Sequence, residues 1–278
     1  MEFIQREQAL TKPKYLIMPA LSIGNVGQLV VDLLISSSVA HKVGYLDSEC
    51  ILPCIGNDPY NEFSRGELAV ALEVYEEPAN DLRIVQQRAP VIKGTMLNFA
   101  KDFSAWVKNS STDEVIILSG VDSGKRPMQD IGRSPIRYIS TANLDGTDQR
   151  CEALGWKKLE DYEPSNNSWK LLESQCLENA NGGLINSAMQ INDEMYYPNL
   201  PFSSLFSCCK VRGLRAVCIL LFCSEGDNIQ DAVLLGDSLQ SFLSLDKGMG
   251  ADCGSKSWTI PYSWRSVYGP PPEPTIFY

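Results

Sequence analysis

Short apolar runs alternate with amphipathic stretches along most of the chain. Tyr15-Leu16-Ile17-Met18 has the length and composition of a buried strand. After a turn over Pro19 to Gly24, Val26, Leu29, Val30, Leu33 and Leu34 recur at helical spacing, which predicts a helix over about 25–38 with one apolar face. Lys42 to Leu46 reads as a second strand, so the opening unit is strand–helix–strand, the pattern that builds a parallel sheet. Glu67 to Tyr75 and Leu82 to Gln87 read as two strands of a hairpin joined through Glu76-Glu77-Pro78-Ala79-Asn80.

Met96, Phe99, Ala100, Phe103, Trp106 and Val107 share one face of a helix expected near 95–108, and Glu114 to Leu118 is a buried strand. Ile136 to Ile139 reads as another strand. Residues 142–214, rich in Asn, Ser and Gly, show weak periodicity and are expected to form a loop-rich insertion. Order returns with the apolar run Ala216 to Cys223 and a helix over about 229–245, where Asp227 and Gln230 form a capping-box pattern. The expectation is an α/β fold: a three-layer αβα sandwich around a mostly parallel or mixed sheet. One domain would span 1–268, with a Pro-rich tail at 269–278.

Composition narrows the function classes. Twenty-four basic residues against 34 acidic ones give a charge of −10, which repels nucleic-acid phosphates and anionic membranes. The start, Met1 to Glu7, lacks the basic and apolar pattern of a secretory signal, and no uncharged apolar stretch approaches bilayer length. Nine cysteines, with Cys208-Cys209 adjacent, fit reduced thiols in the cytoplasm, with the nucleus as a further expected location.

Catalytic chemistry is sparse. His41 is the one histidine, expected to cap the carbonyls at the end of the first helix. Neither Cys50 with Cys54 nor Cys218 with Cys223 has metal-binding spacing, and residues five apart on a strand point to opposite faces. Ser22-Ile23-Gly24-Asn25-Val26-Gly27 follows a strand, opens a helix and precedes Asp47 at the end of the next strand. That is close to a dinucleotide fingerprint, with Ser22 where the first glycine belongs. A nucleotide- or nucleoside-processing α/β enzyme using the Ser22–Gly27 turn is therefore the alternative reading. The other is that the two glycines only let the helix start pack on the sheet. No catalytic residue, metal or cofactor is assigned, and the chain is not expected to be an enzyme.

Four prolines within 270–274 favour an extended rod rising about 3.1 Å per residue, which sets Ile276, Phe277 and Tyr278 on the order of 15–20 Å from the body. These apolar residues and the free carboxylate suit a docking site on this protein or another, or else a frayed end.

Six blocks in order resemble the proteasome assembly chaperone 2 family. They are Pro19 to Leu29 with Asp32-Leu33, Val43-Gly44-Tyr45, Gly56 to Tyr60, Arg133 to Tyr138, Ser224 to Ala232, and Trp258 to Arg265. The resemblance implies a nucleoside-phosphorylase-like α/β fold without catalysis. It also implies a heterodimer with proteasome assembly chaperone 1 that sits on the proteasome α-type subunits and promotes formation of the core-particle α ring. Family members can end in a hydrophobic–tyrosine–any tail that inserts between α subunits. Ile276, Phe277 and Tyr278 match those positions, with Phe277 keeping the ring and losing the hydroxyl.

Overall fold

The four central strands explain the longest apolar runs. In the computed structural model, which describes residues 1–7, 12–61, 67–177, 202–244 and 258–266, β2 (Tyr15–Pro19), β7 (Leu82–Gln87), β8 (Glu114–Asp122) and β11 (Ala216–Cys223) lie side by side in the order β7-β2-β8-β11, all parallel. Helices cover both faces, so these strands are buried along nearly their whole length. Ala216, Cys218, Leu220 and Phe222 enter one core, while Val217, Ile219, Leu221 and Cys223 enter the other. Cys218 and Cys223 thus lie on opposite faces, as their spacing predicts.

Both flanks are mixed. Outside β7 lie β6 (Leu72–Glu77), β3 (His41–Asp47) and β1 (Glu2–Gln5), each antiparallel to its neighbour. On the other side β9 (Ile136–Ser140) runs antiparallel to β11, and β10 (Lys157–Lys158) pairs with β9 in parallel. A separate ribbon joins β4 (Ile55–Asn57) to β5 (Leu68–Val70). One face of the main sheet carries α1 (Val26–Ser37), α3 (Gln149–Ala153) and a helix at Ile229–Leu243, here α6. The opposite face carries α2 (Met96–Asn109), α4 (Asn167–Leu177) and α5 (Ser203–Val211). The three-layer α/β expectation holds.

Three expectations change. The β2–α1–β3 unit is parallel, but the β6–β7 hairpin lies between its two strands, so β3 is not β2's neighbour. His41 does not cap α1: the helix stops at Ser37, and an exposed His41 opens β3 opposite Glu76. Within 142–214 the described residues include three helices, α3, α4 and α5, and the short strand β10, joined by turns, elements that the weak periodicity did not indicate. Helix α5 buries Ser203, Ser204 and Ser207 along with Leu205, Phe206, Cys208 and Cys209, so burial on most sides removes the polar face that periodicity relies on. The tail at 269–278 lies outside the described residues.

Candidate functional site

The Ser22–Gly27 turn sits at the carboxyl end of β2, where an open α/β sheet commonly binds ligands. Ile23–Asn25 forms a single 3-10 turn, with Gly24 at φ +61° and Asn25 at φ +49°, both left-handed. Ser22 Oγ accepts the Gly120 N–H at 2.8 Å, which ties the turn to β8. A Cβ at Gly27 would stand 2.5 Å from the Leu118 carbonyl oxygen, so that glycine lets α1 rest against the β8 backbone. The space over Gly24 is filled by the Asn228 carboxamide, whose Nδ2 donates to Ser224 O and to Asp231 Oδ2, both at 2.8 Å.

Carboxylates border this turn. Asp122 accepts the Gly124 N–H, and Asp227 accepts the Ile229 N–H at 3.2 Å, but the capping box expected of Asp227 and Gln230 does not form, because the N-cap of the helix is Asn228, one residue later. Burial, with Asp231 and Asp122 adding to it, pushes the Cys223 thiol up to about 12. An anionic field of this kind opposes a pyrophosphate. Asp47, the would-be ribose ligand, belongs to β3 and lines a separate cavity of about 840 Å³ with Lys101 and Arg212. The packing reading of the two glycines is the one this geometry supports.

A second constellation joins several of the quoted sequence blocks. Asp32 of α1 accepts the Tyr60 hydroxyl and Gln86 Nε2, both at 2.6 Å. Arg88 spans the group: Nε donates to Glu73 at 2.7 Å, Nη2 to the Tyr60 hydroxyl at 2.8 Å, and Nη1 lies 3.4 Å from Asp32. Lys42 Nζ reaches Glu73 at 2.6 Å. Two carboxylates thus face two cations between α1 and strands β3, β6 and β7. Burial opposes the Arg88 charge, but Tyr60, Asp32 and Glu73 outweigh it and hold the guanidinium protonated. Burial also raises the Tyr60 hydroxyl, and Asp32 adds to the shift, so Tyr60 stays a neutral donor. Such a network fixes the geometry of the 56–60 loop.

That loop in turn holds the 258–266 segment, since the Ser263 N–H donates to Pro59 O at 2.9 Å. Thr259 N–H reaches Ser37 Oγ, and Trp258 Nε1 reaches Asp237, with the indole covering Gly236 of α6. The blocks containing Asp32, Tyr60 and Trp258 therefore form one layer outside α1 and α6. Sequence reasoning found the blocks without finding their meeting point. No local signal marked it: Asp32 falls with Gln28 and Ser36 at i, i+4 spacing, on the side of the helix away from Val26, Val30, Leu33 and Leu34, and only the fold buries it.

Among the described residues no group of three or more His, Cys, Asp or Glu side chains is placed to hold a metal ion. No described helix is long and apolar enough to cross a membrane. The eight described cysteines are free, and burial pushes Cys209 up to about 12, away from thiolate chemistry. Ile276, Phe277 and Tyr278 lie outside the described residues.

A family model described as the PAC2 family matches residues 16–231. The chain is 34% identical over 273 residues to proteasome assembly chaperone 2 of Homo sapiens and 32% identical over 266 residues to that of Danio rerio, each match covering 94% of both proteins. Among solved structures, Pyrococcus furiosus PbaA, an archaeal homolog of proteasome-assembly chaperone, superposes with a TM-score of 0.58 at 17% identity over 89% of this chain and 83% of its own. PbaB of the same organism, an archaeal proteasome activator, gives 0.55 at 18% identity, covering 89% and 91%. The two archaeal structures share the fold, and the family match with the near full-length relatives places this chain in the PAC2 family.

Proposed function

We propose that this chain is a non-catalytic chaperone subunit that promotes assembly of the proteasome core-particle α-subunit ring as a heterodimer with proteasome assembly chaperone 1, in the cytoplasm and nucleus. The observation that carries this reading is the alignment of nearly the whole chain with relatives named proteasome assembly chaperone 2 at 32–34% identity. The filled Ser22–Gly27 turn supports it, because a side chain and carboxylates stand where a nucleotide would bind. In this reading residues 1–268 are the chaperone body. The Pro-stiffened tail then carries Ile276, Phe277 and Tyr278 to a groove between α subunits.

Co-purification of the tagged chain from cells is the test. It should recover proteasome α-type subunits and a second α/β chaperone; their absence from early assembly intermediates would falsify the proposal. Deleting Ile276 to Tyr278 should weaken α-subunit binding and leave pairing with the chaperone partner intact. Unchanged α-subunit affinity would show this tail to be inert.

A further inference from the structure

Cys208 and Cys209 are adjacent in the sequence, and the fold sends them different ways. Both belong to the buried helix α5, where neighbouring side chains diverge by about 100°. Cys209 is enclosed in the core, with its thiol pushed up to about 12 by burial. Cys208 instead meets Cys176 of α4, and its Sγ donates to the Cys176 Sγ at 2.8 Å.

That meeting is held in register by the two helices. Trp169, Glu173 and Cys176 follow one another at helical spacing along one side of α4. The Trp169 ring stands edge-on to Phe206 with centroids 6.2 Å apart, and Glu173 binds Lys210 Nζ at 2.7 Å. Phe206 and Lys210 flank Cys208 on α5, so the contacts on either side fix the separation of the two sulfurs. An S–S bond of about 2.05 Å requires them to close by less than about 1 Å. No rearrangement of either helix is needed.

The two thiols are not equivalent. Cys176 lines the cavity of about 840 Å³ that also holds Lys101 and Arg212, whereas Cys208 lies behind it, 1% exposed. The hydrogen bond to Cys176, with burial, pushes the Cys208 thiol up and keeps its proton in place. A small oxidant in the cavity therefore meets Cys176 first.

We propose that Cys176 and Cys208 form a reversible redox pair, in which hydrogen peroxide oxidises Cys176 from the cavity and Cys208 resolves the product into a disulfide joining α4 to α5. The Cys176 sulfur attacks one peroxide oxygen and the O–O bond breaks, giving a sulfenic acid and water. The Cys208 sulfur then attacks the Cys176 sulfur. The S–S bond forms as the S–O bond breaks, and the departing hydroxide takes the Cys208 proton as water. Two thiols and one peroxide thus yield one disulfide and two waters. Two molecules of glutathione restore both thiols by exchange and leave as glutathione disulfide. Disulfides that form transiently in this way are the kind found in reducing compartments.

The test treats the native full chain with hydrogen peroxide, blocks the remaining thiols with N-ethylmaleimide and digests after glutamates. Glu178 and Glu194 lie between the two cysteines, so the digestion separates them. Mass spectrometry should find Cys176 linked to Cys208 at least tenfold above the reduced chain, and glutathione should remove the link. Cys208→Ser should abolish the link and leave a Cys176 sulfenic acid that dimedone captures, whereas Cys176→Ser should lose both signals. Cys54→Ser, at an exposed thiol, and Cys209→Ser should retain the link. Full alkylation of Cys176 and Cys208 in the oxidised wild-type chain, or a link that survives in Cys208→Ser, overturns the proposal. The first of these readings uses the unaltered chain, so it stands even where a variant fails to fold. Neither result bears on the chaperone function.

Discussion

Replacing Arg88 with methionine keeps much of the side-chain volume and removes one of the two half-buried cations that face the buried carboxylates. The Glu73 side chain, fully buried, keeps Lys42 at 2.6 Å, whereas Asp32 keeps only the Tyr60 hydroxyl and the Gln86 amide. Two carboxylates would then face one ammonium. At an effective dielectric of about 20, the 3.4 Å Arg88–Asp32 pair has a gross attraction of about 5 kcal/mol, largely offset by desolvation while both ions are present. Breaking a buried pair from one side costs about 3–5 kcal/mol. With about 2–3 °C lost per kcal/mol in a chain of this size, Tm should fall by roughly 6–15 °C. Asp32→Asn alone leaves the opposite imbalance and should also destabilise. The double variant has one carboxylate facing one cation, so its loss should fall short of the sum of the two singles by at least about 1 kcal/mol. Urea and thermal unfolding at fixed protein and partner concentration provide the readout. An Arg88→Met variant melting within 2 °C of wild type, or strictly additive losses, would refute the account of this network.

Other expectations are simpler to check. Gly27→Ala drives a Cβ toward the Leu118 carbonyl oxygen and should cost about 1–3 kcal/mol in urea unfolding; a neutral result would mean that α1 does not rest on the β8 backbone. The hydrogen bond from Lys157 holds the Asp130 carboxyl below its usual range, helped by Arg137 and Arg133. Its folded value is depressed, so its contribution is present above an unfolded value of about 3.9 and is lost as pH falls through the lower folded value. Wild type and Asp130→Asn should therefore differ in stability near neutral pH, begin to converge below about pH 4 and meet only below the folded value; parallel curves would exclude the linkage. Nucleotides and inorganic phosphate should leave Tm unchanged, because Asn228 fills the turn. A ligand at 100 times its dissociation constant would add about 2.7 kcal/mol, a shift that a thermal scan would register.

Elements with one wet face were legible from the sequence. The apolar residues of α1 and α2 fall at helical spacing, and β8 and β11 stand out as short runs rich in Val, Ile and Leu. Helix α5 was not legible, because its serines are buried with its apolar residues and no polar face survives. Helix α4 has Trp169, Leu172 and Cys176 at helical spacing, a weak signal inside an Asn- and Ser-rich region. Strand β1 is four residues at the sheet edge and gains its conformation from pairing with β3.

By itself the sequence determined the class of fold, the acidic charge, the scarcity of catalytic residues and the order of the family blocks, because period, charge and residue type are local properties. Tertiary structure decided which blocks meet. It set the β6–β7 hairpin between β2 and β3, which separates Asp47 from the glycine turn, and it swung Asn228 over Gly24. It also gathered Asp32, Tyr60, Glu73 and Arg88 into one buried network and turned Asp130 inward onto Arg137. The physical reason is common to all of these: each depends on a long-range pairing whose partners lie many residues apart, and no local pattern encodes which distant group a side chain will find.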